Sequence, residues 1–394
     1  MEYSIPFNKP FIVGKELYYI AQAVTLGNLA GDGYFTQQCS RLLEEQFRIK
    51  KVLATPSCTA ALEMAAILCK LGPGDEVILP SYTFVSTANA IVRVGAKPVF
   101  VDIRADTLNI DEQKIEEAIT RHTKAIVPVH YAGVGCEMDK IMEIARKNNL
   151  LVIEDAAQGV GAYYNNQALG SIGHLGTYSF HETKNYICGE GGALCINEPE
   201  LSKRAEIIRD KGTNRREFFR GEIDKYTWVD IGSSYVPSEI ACAFLYAQLE
   251  MMNVISERRR MIYKQYRILL KPLEVQGYLS LPHIPEDCES NYHMFYILLP
   301  DRVVRDALMD YLKQHGIMAV FHFIPLHSSP MGQKFGRQVR DLSITEELSG
   351  RLLRLPFYFE ITEGEQEYIV KYLKEGLEKN RSEKGISSML QAIQ

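Results

Sequence analysis

Between residues 50 and 200 the apolar positions repeat one rhythm: a short apolar run ends in polar residues, a helical periodicity follows, and another run begins. Val52–Ala54, Glu76–Leu79, Pro98–Asp102, Ala125–Val129 and Leu150–Glu154 predict strands; Ala60–Leu71, Val85–Val94, Asp111–Ala118 and Glu137–Asn148 predict the helices between them. Short strands alternating with helices imply an α/β fold with a mostly parallel sheet covered on both faces. Ligands of such sheets bind beyond the carboxyl ends of the strands. Several predicted strands end there in small or polar residues: Pro80-Ser81, His130-Tyr131 and Asp155.

Residues 200–270 read as helical, with a long amphipathic stretch from about Ser238 to Leu270. From about residue 271 the texture changes, with strand-like Met294–Leu299 beside helical Val303–Gln314 and Gly364–Leu377. The pattern predicts a large α/β domain over 1–250, a smaller α+β domain over 251–380 and a frayed tail over 381–394.

The 394 residues are 46% apolar and 24% charged, values of an ordinary globular chain rather than a disordered or collagen-like one. With 44 basic and 49 acidic residues the net charge is −5, a poor balance for general nucleic-acid binding, which needs clustered basic charge. No apolar stretch approaches the ~20 residues of a membrane span, and no secretory leader is visible. The eight cysteines form no CxxC and fit neither a disulfide framework nor a zinc site, so no metal is expected and free thiols in the cytoplasm are.

Three constellations carry candidate chemistry. Thr55-Pro56-Ser57-Cys58-Thr59-Ala60 follows a strand and opens a helix, where free N–H groups, the helix dipole and hydroxyls make an anion site. Asp155, in Val152-Ile153-Glu154-Asp155-Ala156-Ala157-Gln158, sits at a strand tip where burial demands a cationic or hydrogen-bonding partner. Lys184 lies in the short segment between a strand at Gly176–Phe180 and Gly189-Glu190-Gly191-Gly192, where desolvation lowers a lysine's proton affinity as a Schiff-base amine requires. Taken singly, each also reads as ordinary structure: a helix cap, a second cap, a surface lysine. Together they offer an anion cradle, a carboxylate for a ring nitrogen and an amine for an aldehyde, the set that pyridoxal phosphate requires. Phe84, at the next strand end, could cover the ring face. No P-loop or dinucleotide glycine fingerprint is present.

These motifs, with Pro80-Ser81-Tyr82-Thr83-Phe84-Val85-Ser86-Thr87-Ala88-Asn89, Pro128-Val129-His130-Tyr131-Ala132-Gly133 and Ser179-Phe180-His181-Glu182-Thr183-Lys184-Asn185, resemble those of the DegT/DnrJ/EryC1/StrS sugar aminotransferases, over most of the chain from Ile5 to about Leu377. The resemblance implies the aspartate-aminotransferase-like (type I) fold and a homodimer with sites at its interface. Carried over by position, Lys184 would hold the cofactor aldehyde as an imine and shuttle protons, and Asp155 would pair with the ring nitrogen. Gln158 would contact the ring hydroxyl, Phe84 would stack on the ring, and Cys58, Thr59 and Ser179 would bind the phosphate. One position departs: many relatives place an Asn, given to the partner's phosphate, where this chain has Val236, which cannot donate.

Within the family, Lys211-Gly212-Thr213-Asn214-Arg215, Phe218-Phe219-Arg220-Gly221 and Asp224-Lys225-Tyr226-Thr227-Trp228 are most similar to members that use L-glutamate to aminate the 4-keto carbon of dTDP-4-dehydro-6-deoxy-D-glucose for enterobacterial-common-antigen-type polysaccharide. Lys184, where related dehydratases carry His, favours amino transfer. Arg215, Arg216, Arg220, Lys225 and Tyr226 become candidates for the nucleotide, from this subunit or its partner, although a run of charges also reads as a solvated face. His322 is a substrate candidate and His327 its neighbour, each alternatively a structural histidine. A 3-keto or differently activated nucleotide sugar, a non-catalytic cofactor-binding regulator and a nicotinamide-dependent oxidoreductase are the alternatives; the missing glycine fingerprint speaks against the last.

Overall fold

The structure, a computed structural model, describes residues 4–393, with side chains through Asn380; the last helix, Glu363–Ile393, runs into the tail expected over 381–394, whose final residue lies outside the description. The first five strands are β1 (Lys51–Thr55), β2 (Glu76–Pro80), β3 (Lys97–Val101), β4 (Thr123–Ile126) and β5 (Leu151–Asp155). A small hairpin, β6 (Tyr163–Tyr164) and β7 (Gln167–Ala168), precedes β8 (Leu175–Ser179) and β9 (Gly192–Ile196). Later come β10 (Cys288–Glu289), which joins the hairpin, β11 (Tyr296–Leu298), β12 (Arg337–Gln338) and β13 (Leu352–Arg354).

The main sheet has eight strands in the order β1-β9-β8-β5-β4-β2-β3-β12. All pairs from β8 to β12 are parallel, and β9 runs antiparallel to both its neighbours. In β1, β2 and β5 the last four residues are buried, as strands covered on both faces must be. One apolar cluster lies on each side of the sheet's Val/Ile/Leu rows, one holding Val52, Ile78, Ile126 and Val152, the other Leu53, Val77, Leu79, Ala125 and Ile153. A further cluster gathers Ile262, Tyr266, Phe295, Ile297, Leu308, Leu353 and Leu373 with Ile5 from the N-terminal segment.

The strand expected over Ala125–Val129 ends at Ile126. Pro128 has no N–H for the ladder, although Val127 still donates to Ile78 O at 2.7 Å. The helical stretch expected over 200–270 is broken. Helices cover Ser202–Arg209 and Arg215–Phe219, and the amphipathic stretch is two helices, Glu239–Glu250 and Met252–Val275, meeting at Met251. The reason for the gap is close backbone packing at Gly212, which has φ +74°. A Cβ there would fall 1.9 Å from the Asp230 carbonyl oxygen.

Candidate active site

Because β9 is antiparallel to both β1 and β8, those two strands share a direction with β5, and their carboxyl ends open on one edge. The register places Thr55, Gly192 and Ser179 in one row there. Ser57 leaves β1 and caps the Cys58–Leu68 helix, its Oγ accepting from Ala60 N at 3.1 Å. Ala61 N donates to Ser57 O, so the first-turn amides of Cys58 and Thr59 take no protein acceptor among the described residues. Gly192 makes this approach feasible. A Cβ on it would lie 2.4 Å from Cys58 N.

These elements wall a cavity of about 730 Å³ whose lining includes Cys58, Thr59, Phe84, Asp155, Gln158, Ser179, Lys184 and His322, all expected from the sequence. Thr59 Oγ1 bonds Ser86 Oγ at 2.8 Å. Asp155 ends β5, 5% exposed; its Oδ2 accepts from Thr87 Oγ1 at 2.7 Å and its Oδ1 from Ala157 N at 3.2 Å. Gln158 Oε1 accepts from Ala132 N at 2.7 Å, which fixes the amide. Phe84, 58% exposed, faces Phe323 with ring centroids 6.1 Å apart.

Lys184 sits in the closed segment after β8, where Phe180 and Gly191, and Glu182 and Gly189, are joined by backbone hydrogen bonds. Its Nζ makes no hydrogen bond or ion pair among the described residues. Desolvation pulls its proton affinity below the ordinary lysine value, against the opposing fields of Cys58 and Asp155. Burial pushes the Cys58 thiol up, so it stays protonated and presents no thiolate to the cavity.

Sequence reasoning missed several lining residues. His293 is buried with Nδ1 2.9 Å from Asn185 Oδ1, and burial, then the Lys184 charge, hold it well below the usual histidine range. Arg354, Phe7 and Thr87 also line the cavity. Of these only Thr87 stands in a motif, two residues after Val85 opens its helix. His322 is buried, bonded to Tyr131 OH at 2.7 Å and stacked on Phe323 at 3.6 Å; burial keeps it neutral.

The basic run lies elsewhere. Arg215, Arg216 and Arg220 line a second cavity of about 750 Å³ with Asp32, Arg209 and Val236. Arg220 pairs with Glu206 and Glu222, both at 2.7 Å, and Arg215 lies over Phe219 and Tyr226 at 5.0 and 5.9 Å. Lys225 and Tyr226 are exposed. Within one chain, therefore, the expected nucleotide residues do not join Lys184. His327 bonds Ser81 Oγ at 2.7 Å and Glu346 at 3.1 Å, a structural role outside the cavity lining.

The donor set fits pyridoxal phosphate: an unpaired amine, a buried carboxylate, a two-amide cradle at a helix N-terminus and an aromatic at the mouth. Among the described residues no cluster of His, Cys, Asp or Glu could hold a metal, and no helix is long and apolar enough to cross a membrane.

Comparison with known proteins agrees. The spore coat polysaccharide biosynthesis protein SpsC of Bacillus subtilis is 32% identical over 379 residues, 94% of this chain and 96% of its own. A pleiotropic regulatory protein of Geobacillus stearothermophilus is 36% identical over 330 residues, 83% and 85% of the two chains. The crystal structure of DesV from S. venezuelae, in complex with a ketimine intermediate, superposes with a TM-score of 0.86 at 27% identity, covering 96% of this chain and 99% of that one. The model of the DegT/DnrJ/EryC1/StrS aminotransferase family matches residues 11–374. A lysine, an aspartate and an anion cradle on one sheet edge, inside a family match of that span, make this chain a pyridoxal-phosphate-dependent aminotransferase of type I fold, and it belongs to the DegT/DnrJ/EryC1/StrS aminotransferase family.

Proposed function

We propose that the chain transfers an amino group from L-glutamate to the 4-keto carbon of dTDP-4-dehydro-6-deoxy-D-glucose, giving dTDP-4-amino-4,6-dideoxy-D-galactose for a cell-surface polysaccharide of the enterobacterial-common-antigen type. The observation that carries the transfer chemistry is the unpaired, desolvated amine of Lys184 in one cavity with the buried carboxylate of Asp155. SpsC, named for polysaccharide biosynthesis, supports the setting.

Pyridoxal phosphate supplies an aldehyde and a ring that drains carbanion charge. Lys184 Nζ, its proton affinity lowered by desolvation, would hold the aldehyde and would take and return a proton at substrate carbons. Asp155, held by Thr87 and Ala157, would pair with the ring nitrogen. The Cys58 and Thr59 amides and Ser179, which line the cavity, would hold the phosphate, Gln158 would contact the ring hydroxyl, and Phe84 would cover the ring and keep water off it.

The functional unit in this reading is a homodimer, with 1–250 as the cofactor-binding domain and 251–380 as the smaller one. Arg215, Arg220 and Tyr226 then reach the nucleotide of the partner's site. Their distance from Lys184 within one chain supports that, as does the exposed apolar row Leu17, Tyr18, Val24 and Leu26 on the Glu16–Leu26 helix. A regulator without turnover is the second reading, favoured by the name of the Geobacillus relative.

The test is incubation of the purified holoenzyme with L-glutamate and a panel of 3-keto and 4-keto nucleotide sugars, with product configuration read by NMR. Amination of the 4-keto dTDP sugar is expected, and Lys184→Ala should abolish it. Amination of 3-keto sugars alone would overturn the substrate, and no turnover with any donor would favour the regulator.

A further inference from the structure

Lys184 and His293 line a second, much smaller cavity as well as the large one. It measures about 10 Å³, and its lining includes Ser179, Asn185 and Asn291. That is about the least space that holds one water molecule, and a buried water also needs two to four polar partners. The wall is polar enough to supply them. Asn291 gives its Nδ2 hydrogens to the Gln158 and Val160 carbonyls, each at 2.8 Å, while its buried Oδ1 takes no donor among the described residues. A buried polar atom in that state points to ordered water nearby.

The surrounding hydrogen bonds fix which nitrogen of His293 carries the proton. Asn185 Nδ2 donates to the Asn291 carbonyl at 2.8 Å, so the amide presents Oδ1 to His293 Nδ1, 2.9 Å away. An amide oxygen only accepts, so Nδ1 is the protonated nitrogen. Burial, then the charge of Lys184, keeps the imidazole neutral, which leaves Nε2 a bare acceptor. That nitrogen takes no protein donor among the described residues, and it is not one of the sealed-off polar atoms. Lys184 Nζ is its complement, a donor with no acceptor there. No direct hydrogen bond joins the two, yet both side chains border the same small polar cavity. One water in it would accept from Nζ and donate to Nε2, completing both.

We propose that the small cavity binds one water bridging Lys184 Nζ to His293 Nε2, and that His293 is thereby the positioning residue for the amine whenever it is not joined to the cofactor. This deepens the function proposed above and rests on it: an amine with one N–H held has fewer directions in which to point its lone pair. The experiment uses the full-length enzyme freed of cofactor and two additions. Pyridoxal phosphate joins the amine with a change in absorbance; pyridoxine 5′-phosphate fills the same cradle and has no aldehyde. His293→Phe keeps a flat ring and removes the acceptor. Loss of one hydrogen bond predicts imine formation slowed about 3- to 10-fold, with pyridoxine 5′-phosphate affinity within about twofold. His293→Gln offers Asn185 a donor and the water an acceptor, so it should recover most of the rate. Equal losses with both compounds, a Phe variant at the wild-type rate, or a Gln variant no faster than Phe would overturn the assignment. If the Phe variant does not fold, a crystal structure of the wild-type holoenzyme decides: ordered water on His293 Nε2 in the small cavity is expected, and a dry cavity overturns the proposal. A wild-type protein that borohydride never links to the cofactor through Lys184 would instead strike the aminotransferase reading itself.

Discussion

Asp155 shows how much one side chain is asked to do. Its carboxylate is buried at a strand tip, yet both oxygens have donors from the protein before any cofactor arrives. Asp155→Asn keeps the shape and removes the charge. Breaking a buried charge pair costs about 3–5 kcal/mol, so kcat should fall by roughly two to four decades, while borohydride still traps the cofactor on Lys184. Wild-type turnover in that variant would exclude a ring-nitrogen partner at this position. The buried histidines carry a second expectation. His293 and His322 are held far below their ordinary value of 6.5 by burial, helped by the charges of Lys184 and Arg354. The unfolded chain takes up protons on them as pH falls through that value and the folded chain does not. Stability is therefore full above it and declines below, by at most about 1.4 kcal/mol per pH unit for each histidine. Urea midpoints measured between roughly pH 7.5 and 5.5 should fall, and His293→Gln or His322→Gln should flatten the slope; parallel slopes would refute it. Residues in contiguous motifs, such as Lys184 and Asp155, were legible because motif and strand end coincide. His293 and Arg354 were not, because each is a lone residue brought to the cavity from distant sequence.

The element that makes the site possible is β9. Among the described residues it is the one strand of the eight-stranded sheet that runs against the others, and its first residue meets the helix that opens at Cys58. Gly192→Ala would drive a methyl group against backbone that cannot swing aside, and the Cys58–Thr59 cradle must shift. The expected result is weaker retention of pyridoxal phosphate, by about tenfold or more if one charge-assisted phosphate contact is lost. The sheet itself should survive, so fluorescence titration of the cofactor and a near-native melting curve should separate the two. Most strands and helices before residue 200 were legible within a residue or two, because buried parallel strands are continuous apolar runs. The break at Met251 was not, since the apolar periodicity continues across it. The 210–237 segment was misread because its conformation depends on close packing at Gly212, a tertiary constraint.

At the scale of the molecule, Asp102 ties the end of β3 to the Ser343–Arg351 helix. One oxygen accepts from Thr345 N and Oγ1 at 2.8 and 2.7 Å, and the other faces Ile344 N and Lys114 Nζ. Asp102→Ala would strand buried donors and should cost about 3 kcal/mol, read as a lower urea midpoint with the cofactor spectrum intact. An unchanged midpoint would show that the tie adds nothing. The N-terminal segment spans a similar distance: Ile5 bridges Ile317, Phe11 stacks on Phe359 at 3.6 Å, and Phe7 lies under Arg354. The sheet's class could be foreseen from strand–helix alternation, whereas these ties could not, since each joins residues hundreds of positions apart.

The insertion of β9 between β1 and β8 has a consequence for biogenesis. Lys51 finds its ladder partner only at Ile196, and pairings of such separation close late. A ribosome-bound chain shorter than this span owns the lysine and the aspartate but has no finished phosphate pocket. Vitamin B6 loading is thereby postponed until half the polypeptide has been made, and a yellow colour in translation would come only after β9 has paired.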